Sequence, residues 1–388
     1  MSKFKKFLLS STFQTIATSV LCALLGLLIG FICLLIIHPS GAFEGIYNIL
    51  QGPLASVRAD KRLYNLGTCI AKAAPLILAG LAILFSYKAG LFNIGAAGQY
   101  TIGAGVALFC ALQLKLPWYA CMLFAMIAGS LLAAIVGLLK AFLNVNEVIS
   151  GIMLNWISLY AVNMLLDRPE CKDFNYGSET WYIWKKNASA LLPNMGLDKL
   201  FNNNQYVTIG VIIAIVVAII IFIILKFTTF GYEIKATGHN KYAAKYAGMK
   251  EKINIVITLA ISGAIAGLAA SCYYQIDLVK WLFPSSVPSM GFDGISAAFL
   301  GGLDPFGVVV SSFFIQYITD GGGNLDLNYY NPQVASLITS IIIYLCAFVA
   351  FVKHYMTRKL TAKKEEKEEK KEIEVPSSAD NSEGDNGK

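Results

Sequence analysis

Several long windows of this chain contain no charged residue at all, among them 7–37, 117–139, 148–166, 207–225 and 327–352. Each is long enough to cross the hydrocarbon core of a bilayer as a helix, which takes about 20 apolar residues. Charged residues make up only 14% of the 388-residue chain and hydrophobic ones 56%. Soluble domains carry roughly 25% charge, so this chain lacks the polar surface to enclose a water-soluble core. The expectation is an all-α polytopic membrane protein.

The hydropathy pattern resolves into about ten apolar segments, near 13–37, 66–87, 92–114, 117–139, 147–167, 206–226, 253–275, 285–302, 304–320 and 333–352. With an even number of crossings both termini share a face. Lys3, Lys5 and Lys6 precede the first segment, Lys353, Arg358 and Lys359 follow the last, and the loop near 227–252 is lysine-rich. The positive-inside rule makes that face cytoplasmic and leaves an external loop near 168–205. Residues 1–352 therefore read as one transmembrane domain. Beyond them, 353–388 is a charged cytoplasmic tail too polar to fold alone. The first apolar segment exceeds the 7–15 residues of a signal-peptide core and reads as an uncleaved span. In the external loop Trp181, Tyr182 and Trp184 suggest a short helix at headgroup level.

The net charge of +7 sits at the chain ends and in one loop, which argues against nucleic acid as a partner. The eight cysteines show no C-x-x-C pair and no zinc-like spacing with histidine, so neither a metal site nor a disulfide framework is expected. A P-loop and an H-E-x-x-H motif are both absent. No carboxylate pair lies inside a segment as acid/base chemistry would need, and an enzyme is not expected. Lys72 stands near a segment end, where it can snorkel. Asp293, Asp304 and Asp320 read as helix caps or water-facing groups.

The least helical stretch lies at membrane depth: GLFNIGAAGQYTIGAG, residues 90–105. Irregular backbone is tolerated there only against protein or a water-filled cavity. Gly95 and Gly98 permit a helix break, and Asn93 and Gln99 offer amides to a path or to neighbouring helices. A small-residue helix interface explains the same glycines without a solute, and composition leaves both open. A second stretch, residues 291–310, aligns Phe292, Ile295, Ala297 and Ala298 with Phe92, Ile94, Ala96 and Ala97 across a one-residue gap. Paired interrupted segments point to an internal repeat with the path between its halves. In the basic loop, HNKYAAKYA between Gly238 and Gly248 reads as a short helix capped by Asn240.

PLILAGLAILFSYKAGLFNIGAAGQYTIGA followed by ATGHNKYAAKYAGM resembles the permease subunits of ATP-binding-cassette importers. The subgroup is the branched-chain amino acid, ribose and nucleoside permease family, and the likeness spans most of 66–352. LFNIG-A-GQ and GGLDPFGVVV are most similar to nucleoside and simple-sugar permeases. The resemblance implies a multi-pass cell-membrane permease that takes up nucleosides, or ribose or another simple sugar, by alternating access. It also implies a second permease subunit, identical or homologous, and an external substrate-binding protein or lipoprotein. Cytoplasmic ATPase subunits would bind the ATP, with no cofactor in this chain. Carried over by position, Asn93, Gly95, Gly98 and Gln99, with Phe92 and Phe292, mark the substrate path. Gly238, Asn240, Tyr242, Ala243, Ala244, Tyr246 and Gly248 mark the ATPase-coupling helix. The family commonly has an acidic residue before the second of those path glycines, where this chain has Ala97, so no charged gate is expected. An ion-coupled secondary transporter and a membrane-embedded enzyme are the rival readings.

Overall fold

Pro39 forces the residue before it into extended backbone, and His38 adopts φ −151° and ψ 96°. The first helix, α1 (Ser11–Ile37), therefore stops at Ile37. The computed structural model describes residues 11–56, 58–174, 177–326, 328–330, 337, 340–341 and 344. The tenth expected segment lies almost wholly outside those residues, and the charged tail entirely so. After α1 come α2 (Ala42–Gln51), α3 (Ala59–Lys88), α4 (Ala96–Leu112), α5 (Trp118–Leu143) and α6 (Glu147–Leu166). There follow α7 (Gly210–Phe227), α8 (Thr229–His239), α9 (Lys241–Tyr246), α10 (Glu251–Tyr274), α11 (Met290–Leu300) and α12 (Pro305–Gly322). Single helical turns, Ile183–Lys186 and Leu197–Leu200, punctuate the long loop between α6 and α7.

Among the described residues, α3, α5, α6, α7 and α10 are long and apolar enough to span a membrane. Their burial sorts them into layers. The apolar windows of α3 and α10 are 83% and 72% buried, whereas those of α5, α6 and α7 are 33% or less. Leu131, Met153 and Ile220 stand exposed on the outer three, a distribution that water would penalise and lipid does not. Between α5 and α10 the backbones nearly touch. A Cβ on Gly129 would overlap the Gly263 carbonyl, and one on Gly267 would overlap that of Ala125. Close approach through small residues is the packing that helices use in lipid, where apolar side chains gain nothing by leaving the solvent.

One expected segment is corrected. Segment 285–302 contains only the 11-residue α11, about 16 Å of helix against a core of about 30 Å. It cannot cross alone, and it packs instead between α3 and α4, with Gly291 against Ala97 and Gly294 against Ala79. Residues 38–65, between the first two apolar segments, hold α2 and the first turns of α3. Tyr317 of α12 donates from its hydroxyl to the carbonyls of Leu50 (3.2 Å) and Gln51 (2.7 Å) at the end of α2. The apolar periodicity of α2 is too short to register as a span, so only tertiary packing reveals it.

Loop 168–205 folds down onto the helix ends. Asp277 accepts from the backbone N–H groups of Ile183 (3.1 Å) and Trp184 (3.0 Å), which tethers the aromatic run. The expected surface helix is a single turn. Trp184 is exposed, while Trp181 and Tyr182 are half-buried. Cys171 in this loop is fully buried, and burial pushes its thiol up to about 11.

Candidate functional site: a broken helix and the loop that touches it

The chain leaves α3 at Lys88 and does not resume a helix until Ala96. Gly90 turns it with φ +72°. The break is buried, so the side-chain amides beside it need partners, and both find them. Asn93 donates from Nδ2 to Gln99 Oε1 (2.9 Å) and to Ser262 Oγ (2.9 Å), and Gln99 Nε2 donates back to Asn93 Oδ1 (3.0 Å). Ser262 passes its own proton to the Ala82 carbonyl at 2.7 Å. Asn93 and Gln99 are 3% and 0% exposed. In this conformation the two amides face each other, not an open cavity.

The first turn of α4 has no cap of its own, because Gly95 at the N-cap carries no side chain. Asn155, from the middle of α6, supplies one. Its Oδ1 accepts from the Gly98 N–H at 2.7 Å, and its Nδ2 donates to the Ile94 carbonyl at 3.1 Å. A helix end leaves its first N–H groups unpartnered, and here a neighbouring helix satisfies one of them. Gly98 is required for this. A Cβ there would stand 2.6 Å from Asn155 Oδ1 and 2.7 Å from Asn155 Cα.

The paired stretches meet through Gly291 and Ala97. Phe92 is half-buried and Phe292 is 38% exposed. No ring contact between them occurs among the described residues. Phe92 lies instead 6.4 Å from the ring of Phe299, which stands 5.2 Å from Tyr87.

The basic loop folds as two helices. Thr228 caps α8 by accepting from Gly231 N (3.0 Å). Asn240 caps α9 by accepting from Tyr242 N (3.0 Å) and Ala243 N (3.1 Å). The chain leaves α9 through Gly248 at φ +83°, with nothing near it. Only Ala244 of α9 is buried; Tyr242 is 66% and Tyr246 94% exposed. Gly238 presses on the end of α3, where a Cβ would come within 2.5 Å of the Lys88 carbonyl and 2.7 Å of Gly90 N. The coupling-loop residues and the broken segment, about 150 positions apart in sequence, thus touch backbone to backbone.

Three residues escaped the sequence reading. Asn155 and Ser262 lie deep in apolar segments, and their polarity at that depth was the available signal. The third is the partner of Lys72. The ammonium does not simply snorkel but pairs with Asp320 at 3.1 Å, so Asp320 is neither a cap nor merely water-facing. Asp304 does cap α12, accepting from Phe306 N (3.1 Å) and Gly307 N (3.2 Å).

A family described as the permease component of branched-chain amino acid transport systems matches residues 65–347. This chain belongs to that family. It is accordingly an integral membrane transport subunit. Among its relatives, the guanosine ABC transporter permease protein NupP of Bacillus subtilis is 33% identical over 290 residues, 72% of this chain and 80% of the relative. The nucleoside ABC transporter permease protein NupB of Lactococcus lactis is 29% identical over 355 residues, 89% and 95% of the two chains. The glucose ABC transporter permease protein TsgB13 of Haloferax volcanii is 28% identical over 305 residues, 75% and 78%. No solved structure matches.

Proposed function

We propose that this permease forms the membrane path of an importer for nucleosides and that partner ATPase subunits drive it from α9. The observation that carries the proposal is the arrangement of α9. It is capped, basic and aromatic, with Tyr246 94% exposed, and it adjoins a backbone seam between Gly238 and Gly90. An exposed aromatic on a rigid helix suits burial against a protein partner. Packed elements transmit displacement instead of absorbing it, so a pull on α9 moves the 88–99 break directly. Gly238, Asn240, Tyr242, Ala243, Ala244, Tyr246 and Gly248 form the coupling element.

Phe92, Asn93, Gly95, Gly98, Gln99 and Phe292 belong to the path. In the closed state the Asn93–Gln99 amide pair seals it, and opening exchanges those bonds for bonds to solute. Uncharged amides and aromatic rings suit a neutral polar solute better than an ion. The names of the guanosine and nucleoside relatives support nucleosides, and the glucose relative supports a simple sugar as the second reading. The remaining parts of the assembly are a second permease subunit and an external substrate-binding protein or lipoprotein. Ten crossings, the eighth made by α11 together with the non-helical chain that precedes it, and both termini cytoplasmic complete the topology, and ATP is bound by the partners and not by this chain.

The test is ATP-dependent uptake of radiolabelled guanosine by proteoliposomes holding the complete complex. Ala243→Glu is expected to abolish both uptake and copurification of the ATPase. Uptake by this chain alone, driven by an ion gradient, overturns the reading. So does labelling of residues 238–248 from outside the cell.

A further inference from the structure

Gly238 lies at the Lys88 end of α3. Lys72 sits 16 residues earlier, about 24 Å away along the helix, towards the end opposite α9. There the structure holds a cavity of about 310 Å³ lined by Pro53, Tyr64, Asn65, Thr68, Lys72, Tyr206, Asp320 and Asn324. That volume falls at the lower end of small-molecule sites, roughly 300–1,000 Å³. We infer that this cavity is a solute-docking site that receives a nucleoside before the path opens, with the ribose diol on the Lys72–Asp320 pair and the base against Tyr64 and Tyr206. The inference rests on the importer reading above and names a place for its substrate.

The chemistry of the lining supports this assignment. Asp320 takes the Lys72 ammonium at 3.1 Å and the Gln316 amide at 3.0 Å, both on Oδ1. A carboxylate offers about four lone-pair positions, so one more donor can be accepted. An ammonium has three protons, so Lys72 keeps donors for an incoming acceptor. A vicinal diol is both donor and acceptor and is neutral, which matches an already neutralised pair. An anion would meet the Asp320 charge. The side chains of Lys72 and Asp320 are 32% and 17% exposed, so the pair is reachable yet partly dehydrated. The phenols supply flat apolar area with a polar edge, the surface on which a heteroaromatic base stacks.

The wall is also pre-built. Asn204 donates to the Tyr64 carbonyl (2.6 Å) and to Thr68 Oγ1 (2.8 Å), and its Oδ1 accepts from Tyr206 N (2.9 Å). This links Tyr206 to the same turn of α3 that carries Tyr64. Asn324 donates to the Gly52 carbonyl at 2.8 Å, holding α12 against the segment that carries Pro53. Four separated stretches of chain thus converge on one polar cavity inside an apolar protein.

The experiment measures equilibrium binding of radiolabelled guanosine to the full transporter complex in nanodiscs without its external binding protein. ATP-driven guanosine uptake is followed in parallel. Asp320→Asn and Tyr206→Ala are each expected to weaken binding about tenfold, the worth of about one charge-assisted hydrogen bond or stacking contact. The wild-type complex should prefer guanosine over the dideoxy analogue that lacks both ribose hydroxyls, and Asp320→Asn should erase that preference. Loss of stability alone would not produce such a change. Should Asp320→Asn fail to assemble, Asn65→Cys on the exposed rim provides the second readout, with maleimide labelling slowed about fivefold by saturating guanosine, the protection expected when a bound ligand leaves only a minor fraction of sites open. Uptake that persists while binding, analogue preference and labelling are all indifferent overturns the docking site and leaves the importer reading intact. A wild-type complex that takes up no nucleoside overturns the importer reading, and the site with it.

Discussion

Asn155 illustrates how one side chain sets the geometry of a broken helix. It caps α4 from a different helix, and its removal leaves a buried N–H on Gly98 without a partner. Asn155→Leu is therefore expected to destabilise the permease by about 2 kcal/mol, read as a fall in thermal unfolding temperature in detergent. Gly98→Val drives a side chain into Asn155 and is expected to cost about 3 kcal/mol or prevent assembly, checked by size-exclusion yield. The Asn93–Gln99 pair predicts non-additivity. Once one amide is lost the other already lacks its amide partner, so the double leucine variant should be about 1 kcal/mol more stable than the sum of the singles implies. Cys171 makes a chemical prediction. Its thiol is fully buried and is raised to about 11, so below that pH it stays protonated and is a poor nucleophile. Maleimide should leave it unmodified at neutral pH until the protein is unfolded.

At the scale of elements, α9 is short enough to depend on its cap. Asn240 holds two N–H groups of a six-residue helix. Asn240→Ala should loosen it by about 1 kcal/mol and lower ATP-coupled uptake with little change in global stability, because α9 contributes almost no core. Comparison of uptake rates with unfolding temperatures separates the two effects. The α5–α10 seam is the opposite case. Gly263→Leu is expected to disrupt the bundle itself, since the Gly129 backbone leaves no room for a side chain.

Seen as a whole molecule, the permease has an inner group of buried helices, α3, α4 and α10, an outer layer open to lipid, and two polar features at opposite ends. One is the α9 platform and the other the Lys72–Asp320 cavity, with the glycine break reached from α9 through Gly90. This arrangement suits alternating access, because each end can be altered without rebuilding the core. Segments long and uncharged enough to span were visible in the chain order, as were the N-cap at Asn240 and the cap at Asp304, because local periodicity and capping depend on neighbours in sequence. The shortness of α11, the packing of α2 and the pairing of Lys72 with Asp320 were not visible. Apolar composition alone does not report where a helix ends when both sides of the boundary are buried.

From its residues alone this polypeptide was committed to lipid, to helices, and to a glycine-interrupted segment at membrane depth. Charge density, hydropathy and turn chemistry are local properties, carried wherever the chain goes. Tertiary structure alone decided that Asn93 would bond to Gln99 and that Asn155 would cap a foreign helix. It alone brought Gly238 against Gly90, and Lys72 to Asp320 across 248 positions. Those outcomes depend on which helix faces meet, and in lipid that choice is made by close packing of small residues and by the need to satisfy every buried polar group.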